Sequence, residues 1–444
     1  MWATRPVFSI LATIWVKGSQ AQPTRNLYKC GMHFWTGTGI LRYENFEQVK
    51  PIRIFLDVDL DLKIEITENL GFAGLLLAQR DDLTLEVQGV NQPIKLLMSH
   101  MSASSSGAGT VVFAPMRSPI WMSQAAKLKR GRAALVNFGG WEPRQLTSTH
   151  VSLEASGWVV KLLPVDEKSL CYPPAAQSDE HRVTHHLEFE RADGSSFSDE
   201  AMTHFMEKLV DFFSFCHGGW VAIAFAVGID ERGVVMAEEW GVGRVGVQDQ
   251  PNGFLDRYDV ESLINLYPLF MTRVEDEGWA DAIGQVVYWL RRANIDNSGP
   301  DGGIILLQAT LERFAWHLLV REREALSEKG FADLTAADQM RLMISTLNLP
   351  KDVPDGLIEL RKFAKHYGLD AAESFTRIRN RIVHPPKLKA MKELFPYYDA
   401  YRLGRWYAEL AVLAACGYRG KYSNRTRSQQ WVGQVERVPW APNG

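Results

Sequence analysis

Three residues in the C-terminal part of the chain, Arg379, Asn380 and His384, have the types and spacing for chemistry on an anion. A guanidinium grips an oxyanion through directed N–H donors, a carboxamide orients its neighbours, and an imidazole moves a proton near neutral pH. They lie in "DAAESFTRIRNRIVHPPK", where Ala372, Phe375, Ile378 and Ile382 repeat at helical spacing and form an apolar stripe. Asp370 precedes the run as a capping residue, and Pro385 and Pro386 end it, because a residue before proline is pushed out of the α region. Asn380 and His384 are four apart and share a face, with Arg379 one step round. His384 stands at the negative end of the helix dipole, which favours its protonated form, while the neighbouring arginines oppose that form. The pattern predicts a small cationic cluster at a helix tip, suited to proton transfer on an anionic substrate.

These residues resemble the signature of the HEPN domains, helical bundles of bacterial toxins, antiphage defence proteins and RNA-guided nucleases. That signature is an arginine, four to six residues and then a histidine, often with a polar residue straight after the arginine. Arg379 and His384 fit the shortest spacing, with Asn380 in the polar place. Arg361 and His366 in "ELRKFAKHYG" repeat the spacing as a decoy, with Lys362 in the polar place and no proline stop. A β-rich N-terminal part ahead of a helical C-terminal part is similar to the ApeA-type antiphage proteins.

The resemblance implies a metal-independent endoribonuclease in which His384 serves as base or acid, Arg379 stabilises charge on the phosphoryl oxygens, and Asn380 orients His384 or binds phosphate. It implies no cofactor and no metal. The implied partners are a single-stranded RNA or a tRNA, a second copy of the chain completing a composite site, and a phage-derived trigger acting on the N-terminal part. Arg381 and Lys387 beside the motif are further candidate RNA contacts. So are Arg419, Lys421, Arg425 and Arg427 in "YRGKYSNRTR", which has four cations, no acid and interleaved tyrosines. Glu312 in "QATLERFAWHLL" is a candidate acid reaching the cluster from another helix. Two other classes stay open: a non-catalytic HEPN module that dimerises or binds nucleotides, and a ligand-binding β domain carrying a helical dimeriser.

The elements that must position these groups follow from the patterning. Up to about residue 250, period-two runs such as "IRIFLDVDLDLKIEI", "LTLEVQG", "AALVNFGGW" and "HHLEFERADG" are divided by turn formers, which predicts antiparallel strands of a sandwich or barrel. One helix interrupts them, "SDEAMTHFMEKLVDFFSF", with Ser198 as N-cap and two acids in its positive first turn. A hairpin follows, "GWVAIAFAVGID" and "GVVMAEEWGVGRV". Beyond 250 the runs become long and amphipathic. The reading is an α+β chain of two domains: a β-rich sensor or regulatory part over 1–250 and a HEPN-like helical bundle over 251–444.

Other features are set aside on physical grounds. "GVGRVG" at 241–246 matches a dinucleotide fingerprint, but "VQDQPNG" after it cannot open the helix that would meet a pyrophosphate. "SASSSGAG" at 102–109 is a loop with no following Gly-Lys-Ser/Thr. In a strand, His181 and His185 face the apolar side while His186 points opposite, so the three do not converge on a metal. Four scattered cysteines form no Cys-x-x-Cys pair and indicate reduced thiols, and a net charge of -3 excludes polyanion binding by bulk charge. The apolar run from Pro6 to Val16 has a passing resemblance to a signal peptide, but Thr13 interrupts it, Lys17 closes it and no clean small-x-small cleavage site follows, so it is assigned to a first strand. The expected location is the cytoplasm.

Overall fold

The computed structural model describes residues 32–441, apart from 45, 58–60, 69–81, 91, 104–108, 117–119, 124–126, 140–149, 165–182, 244–252, 257–258, 295–298, 385–394, 428–430 and 432. The expected first strand at 6–16, His181, Cys30, Cys171 and the end of "GVGRVG" lie outside these residues.

The fold is α+β, as the patterning predicts. Six strands close a barrel in the order β1-β2-β3-β6-β5-β4: β1 (Met32–Tyr43), β2 (Phe46–Leu56), β3 (Leu62–Glu68), β4 (Thr84–Glu86), β5 (Ile94–Ala103) and β6 (Gly109–Pro115). The single long alternation "IRIFLDVDLDLKIEI" is a hairpin, because the backbone turns where the Asp57 N–H donates to the Asp61 carbonyl. Alternate side chains, among them Ile54, Ile64, Leu85 and Phe113, point into the barrel and are fully buried. Of the expected loop at 102–109, Ser102 and Ala103 belong to β5 and Gly109 to β6, and the rest lies outside the described residues.

A seven-stranded sheet follows in the order β7-β13-β12-β8-β11-β10-β9: β7 (Ile120–Ser123), β8 (Arg130–Val136), β9 (Val151–Ala155), β10 (Trp158–Pro164), β11 (Val183–Arg191), β12 (Ala222–Ile229) and β13 (Val235–Trp240). Central strand β12 is buried on both faces, which is why "AIAFAVGI" reads as a continuous apolar run and not an alternation. One face packs against the barrel through Ala134, Val136, Phe225, Val227 and Trp240. The other carries α1 (Asp199–His217), whose Phe205 stacks on Trp158 with ring centres 4.1 Å apart. Helix α1 starts where the sequence predicts: the Ala201 N–H donates to the Ser198 hydroxyl at 3.2 Å, and Gly218 at φ 75° closes it. Strand β11 presents His185 inward beside Phe138 and His186 to the opposite face, in keeping with its period of two.

Eight further described helices form the C-terminal part: α2 (Val260–Glu275), α3 (Ala280–Ala293), α4 (Gly299–Trp316), α5 (Glu328–Ala332), α6 (Ala336–Thr346), α7 (Ile358–Tyr367), α8 (Ala371–Val383) and α9 (Tyr397–Ala415). Helix α4 is the axis, packed against α3, α6, α8 and α9. With its π-helical end at His317–Glu322 it is, among the described residues, the one helix long and apolar enough to cross a membrane by length and composition. Its window is 61% buried among its neighbours. A short hairpin, β14 (Lys421–Tyr422) and β15 (Glu436–Arg437), docks on α9, where the Trp406 indole donates to the Tyr422 hydroxyl at 3.1 Å.

The hydrophobic core does not divide near residue 250. One continuous cluster runs from Leu128 and the α1 face of the sheet through Phe254 to the bundle and Val438, while a second joins the barrel interior to the opposite sheet face. The sheet is a shared wall. Phe212 of α1 meets Tyr267 and Phe270 of α2 at 5.1 and 5.5 Å, burying aromatic area that neither layer would cover alone.

A candidate anion site at the tip of helix α8

Helix α8 is fixed at its N-terminal end by charge and at its middle by packing. The Asp370 carboxylate accepts the Glu373 N–H at 2.8 Å and the Arg341 Nε–H of α6 at 2.6 Å. Burial pushes this carboxyl up, but the Arg341 bond, the Glu373 N–H and the Arg341 charge together hold it below the usual carboxylate range. Phe375 and Ile378 are fully buried, as the apolar stripe predicts. Gly404 of α9 makes the close approach possible: a Cβ there would sit 2.6 Å from the Phe375 ring and 3.2 Å from Leu307. Thr376 donates its hydroxyl proton to the Gln308 carbonyl at 3.5 Å, and the Gln308 amide donates to Glu312 at 2.9 Å. Glu312 thus reaches the motif helix through Gln308 and Thr376, one turn before the cluster it is expected to support directly.

The cluster itself occupies the last turn. Arg379 is half-buried and Asn380 and His384 are exposed. Arg379 Nη1 donates to the Asn380 side-chain oxygen at 3.1 Å, so the carboxamide holds the guanidinium as well as flanking the histidine. Arg379 Nε is buried without a hydrogen-bond acceptor, and among the described residues no carboxylate pairs with Arg379. His384 is the C-cap: its N–H donates to the Asn380 carbonyl at 2.8 Å, and its φ of -121° and ψ of 80° leave the helix. The prolines that impose this exit, and Lys387, lie outside the described residues.

Two further cations on α8 rest on rings. The Arg377 guanidinium lies 4.2 Å over Tyr367 and that of Arg381 3.8 Å over Phe395, rings tied to one another through Phe363. This aromatic shelf orders the basic face, and sequence reasoning misses it because Tyr367, Phe395 and α8 belong to separate elements. The decoy is different. Arg361 is neutralised by Asp355, and His366 packs edge-on against Tyr367.

The C-terminal basic stretch needs correction. Arg425 is buried, with its Nε 3.6 Å from Glu409 of α9, and Arg427 Nε donates to Glu436 at 3.1 Å. Both are structural partners of acids distant in sequence. Arg419 and Lys421 remain exposed. Arg425, Arg405 and Glu409 form a buried triad: burial pushes the Glu409 carboxyl up, against the pull of both guanidiniums. His217 of α1, pushed down to about 4 by burial and then by Arg425, lies at the same junction of sheet layer and bundle.

Arg379 and Asn380 together present donors that suit an anion such as a phosphodiester, and His384 caps the same helix end. No solved structure matches the chain. Residues 123–249 match the model of the YopA central domain and residues 276–437 that of the YopA C-terminal domain. The chain is similar, at 25% identity over 359 residues, to the SPbeta prophage-derived uncharacterized protein YopA of Bacillus subtilis (strain 168), an alignment that covers 78% of this chain and 79% of that protein.

Proposed function

We propose that the chain is a metal-independent endoribonuclease of the HEPN type, acting in prokaryotic antiphage defence as a cytoplasmic homodimer. The observation that carries the proposal is Arg379: a half-buried guanidinium, clamped by Asn380 and without a carboxylate partner among the described residues, one turn from an exposed imidazole. An arginine drawn inward is ordinarily paired in charge with an acid, as Arg425 is with Glu409 at 3.6 Å. A phosphate completes Arg379 in the same way.

In the proposed reaction a ribose 2′-hydroxyl attacks the adjacent phosphorus while an imidazole removes its proton. The P–O5′ bond breaks and the leaving oxygen is protonated, giving a 2′,3′-cyclic phosphate and a 5′-hydroxyl end. Arg379 meets the charge that gathers on the non-bridging oxygens. One His384 supplies one of the two proton transfers, so a second copy brings the other, and the site is composite. Arg377 and Arg381, braced on their rings, are placed to track a single strand or a tRNA loop. A relative carried by a prophage supports a role in conflict between phages, with a phage product as the trigger.

The test is incubation of purified wild-type, His384→Ala and Arg379→Ala proteins with total RNA in EDTA, followed by end-group analysis. Cleavage in chelator with cyclic-phosphate ends, reduced about 10²–10⁴-fold in either variant, is the expected result. Equal cleavage by wild type and His384→Ala overturns the assignment.

A further inference from the structure

Away from α8, a cavity of about 540 Å³ opens between α1 and the barrel-distal face of the sheet, within the size range of small-molecule sites. Glu239 of β13 points into it. Alternation along β13 sends Glu238 and Trp240 to the barrel face, where they bond each other at 2.6 Å, and Glu239 to the α1 face, in register with Ala226 of β12 and Trp121 of β7. Glu239 is only 8% exposed and makes no hydrogen bond or ion pair with any described residue. A buried carboxyl without a partner is costly in a purely structural role.

The walls state what the partner would be. Trp121, Met206, Val210 and Ile223 supply an apolar and aromatic lining. The charged groups facing Glu239 are Glu207 and Asp211 from α1 and Arg291 from α3. Arg291 is already engaged, 3.1 Å from Asp211 and stacked 4.4 Å over Trp220. Two carboxylates against one committed guanidinium leave the cavity negative before Glu239 ionises. No three metal-ligating side chains converge among the described residues, which disfavours a hard divalent ion there.

We propose that this cavity binds a small organic ammonium ion, its charge met by Glu239 and Glu207 and its carbon body by Trp121 and the apolar wall. The site is independent of the α8 cluster and stands whether or not the chain cleaves RNA. Its electrostatics add a consequence. Burial, and then Glu207, push the Glu239 carboxyl up to about 8, so near neutral pH it is mainly the neutral acid. An arriving cation favours the carboxylate, and binding therefore expels a proton.

Calorimetric titration of the full chain with 2-phenylethylamine and with tetramethylammonium, in two buffers of different ionisation enthalpy, reads both affinity and proton release. The expected result is saturable binding of at least one ammonium ion, release of up to about one proton near pH 7, and binding of neutral 2-phenylethanol about tenfold weaker or less. Glu239→Gln mimics the neutral acid, should fold, and should abolish proton release while weakening binding by about tenfold. Glu207→Gln changes an exposed position and lowers the Glu239 pKa, so proton release falls and affinity drops about threefold. Absence of binding by both ions, equal binding of the alcohol, or a Glu207→Gln protein with unchanged affinity and proton release overturns the proposal.

Discussion

Gly404→Ala tests whether helix packing holds the α8 cluster in place. The added methyl carbon would stand 2.6 and 2.8 Å from two Phe375 ring atoms and 3.2 Å from Leu307 Cβ, so the ring must retreat by several tenths of an ångström. It has nowhere open to go, because Phe375 and Leu307 are fully buried. Overpacking of this kind costs about 1–3 kcal/mol, against which alanine regains about 1 kcal/mol of helix propensity over glycine. The net expectation is a loss of up to about 2 kcal/mol, seen as a lower urea midpoint or a Tm lower by up to roughly 8 °C. Because Phe375 lies one turn before Arg379, the same displacement should depress RNA cleavage at temperatures where the protein remains folded. Phe375→Leu in the Gly404→Ala background makes room for the methyl group and should recover part of both losses. A Gly404→Ala protein more stable than wild type would refute the claim that this contact sets the position of α8.

Acid should weaken the fold through its buried histidines, with the raised Glu239 carboxyl working in the opposite direction between about pH 8 and 4.5. His217 binds a proton in the unfolded chain near 6.5 but in the folded chain only near 4, so stability is full above 6.5 and falls with decreasing pH down to about 4. The slope contributed by His217 is at most about 1.4 kcal/mol per pH unit, and half-buried His186, pushed down by burial and then by Arg132, acts in the same direction. Urea midpoints measured from pH 7 to 4.5 would show this, and His217→Gln should flatten the curve. Removing Glu409 strands two buried guanidiniums: Glu409→Leu should cost about 3–5 kcal/mol, whereas Glu409→Leu with Arg425→Met should recover much of it, a double-mutant cycle resolved by denaturation. Asp370→Ala loses both the N-cap and the Arg341 tie, and about 1–2 kcal/mol of stability by urea unfolding is the expected loss; a loss below half that would remove Asp370 as the anchor of α8.

Much of this was legible in one dimension because it depends on period and on local punctuation. Period-two runs gave strands and 3.6-period runs gave helices; Ser198 and Asp370 cap where their short polar side chains can meet the next turn, and His384 ends α8 where two prolines follow. The apolar stripe of α8 and the opposite facing of His185 and His186 come from the same geometry. What depends on distance along the chain was closed to sequence. That Arg425 is drawn inward by Glu409 while Arg379 meets no acid among the described residues, and that Arg377 and Arg381 rest on Tyr367 and Phe395, is decided by which elements fold side by side. The shared core across residue 250 and the buried Glu239 carboxyl between α1 and the sheet are likewise facts of packing. Charge and periodicity belong to a residue and its near neighbours, but burial and pairing are properties of the assembled layers, and only tertiary structure assigns them.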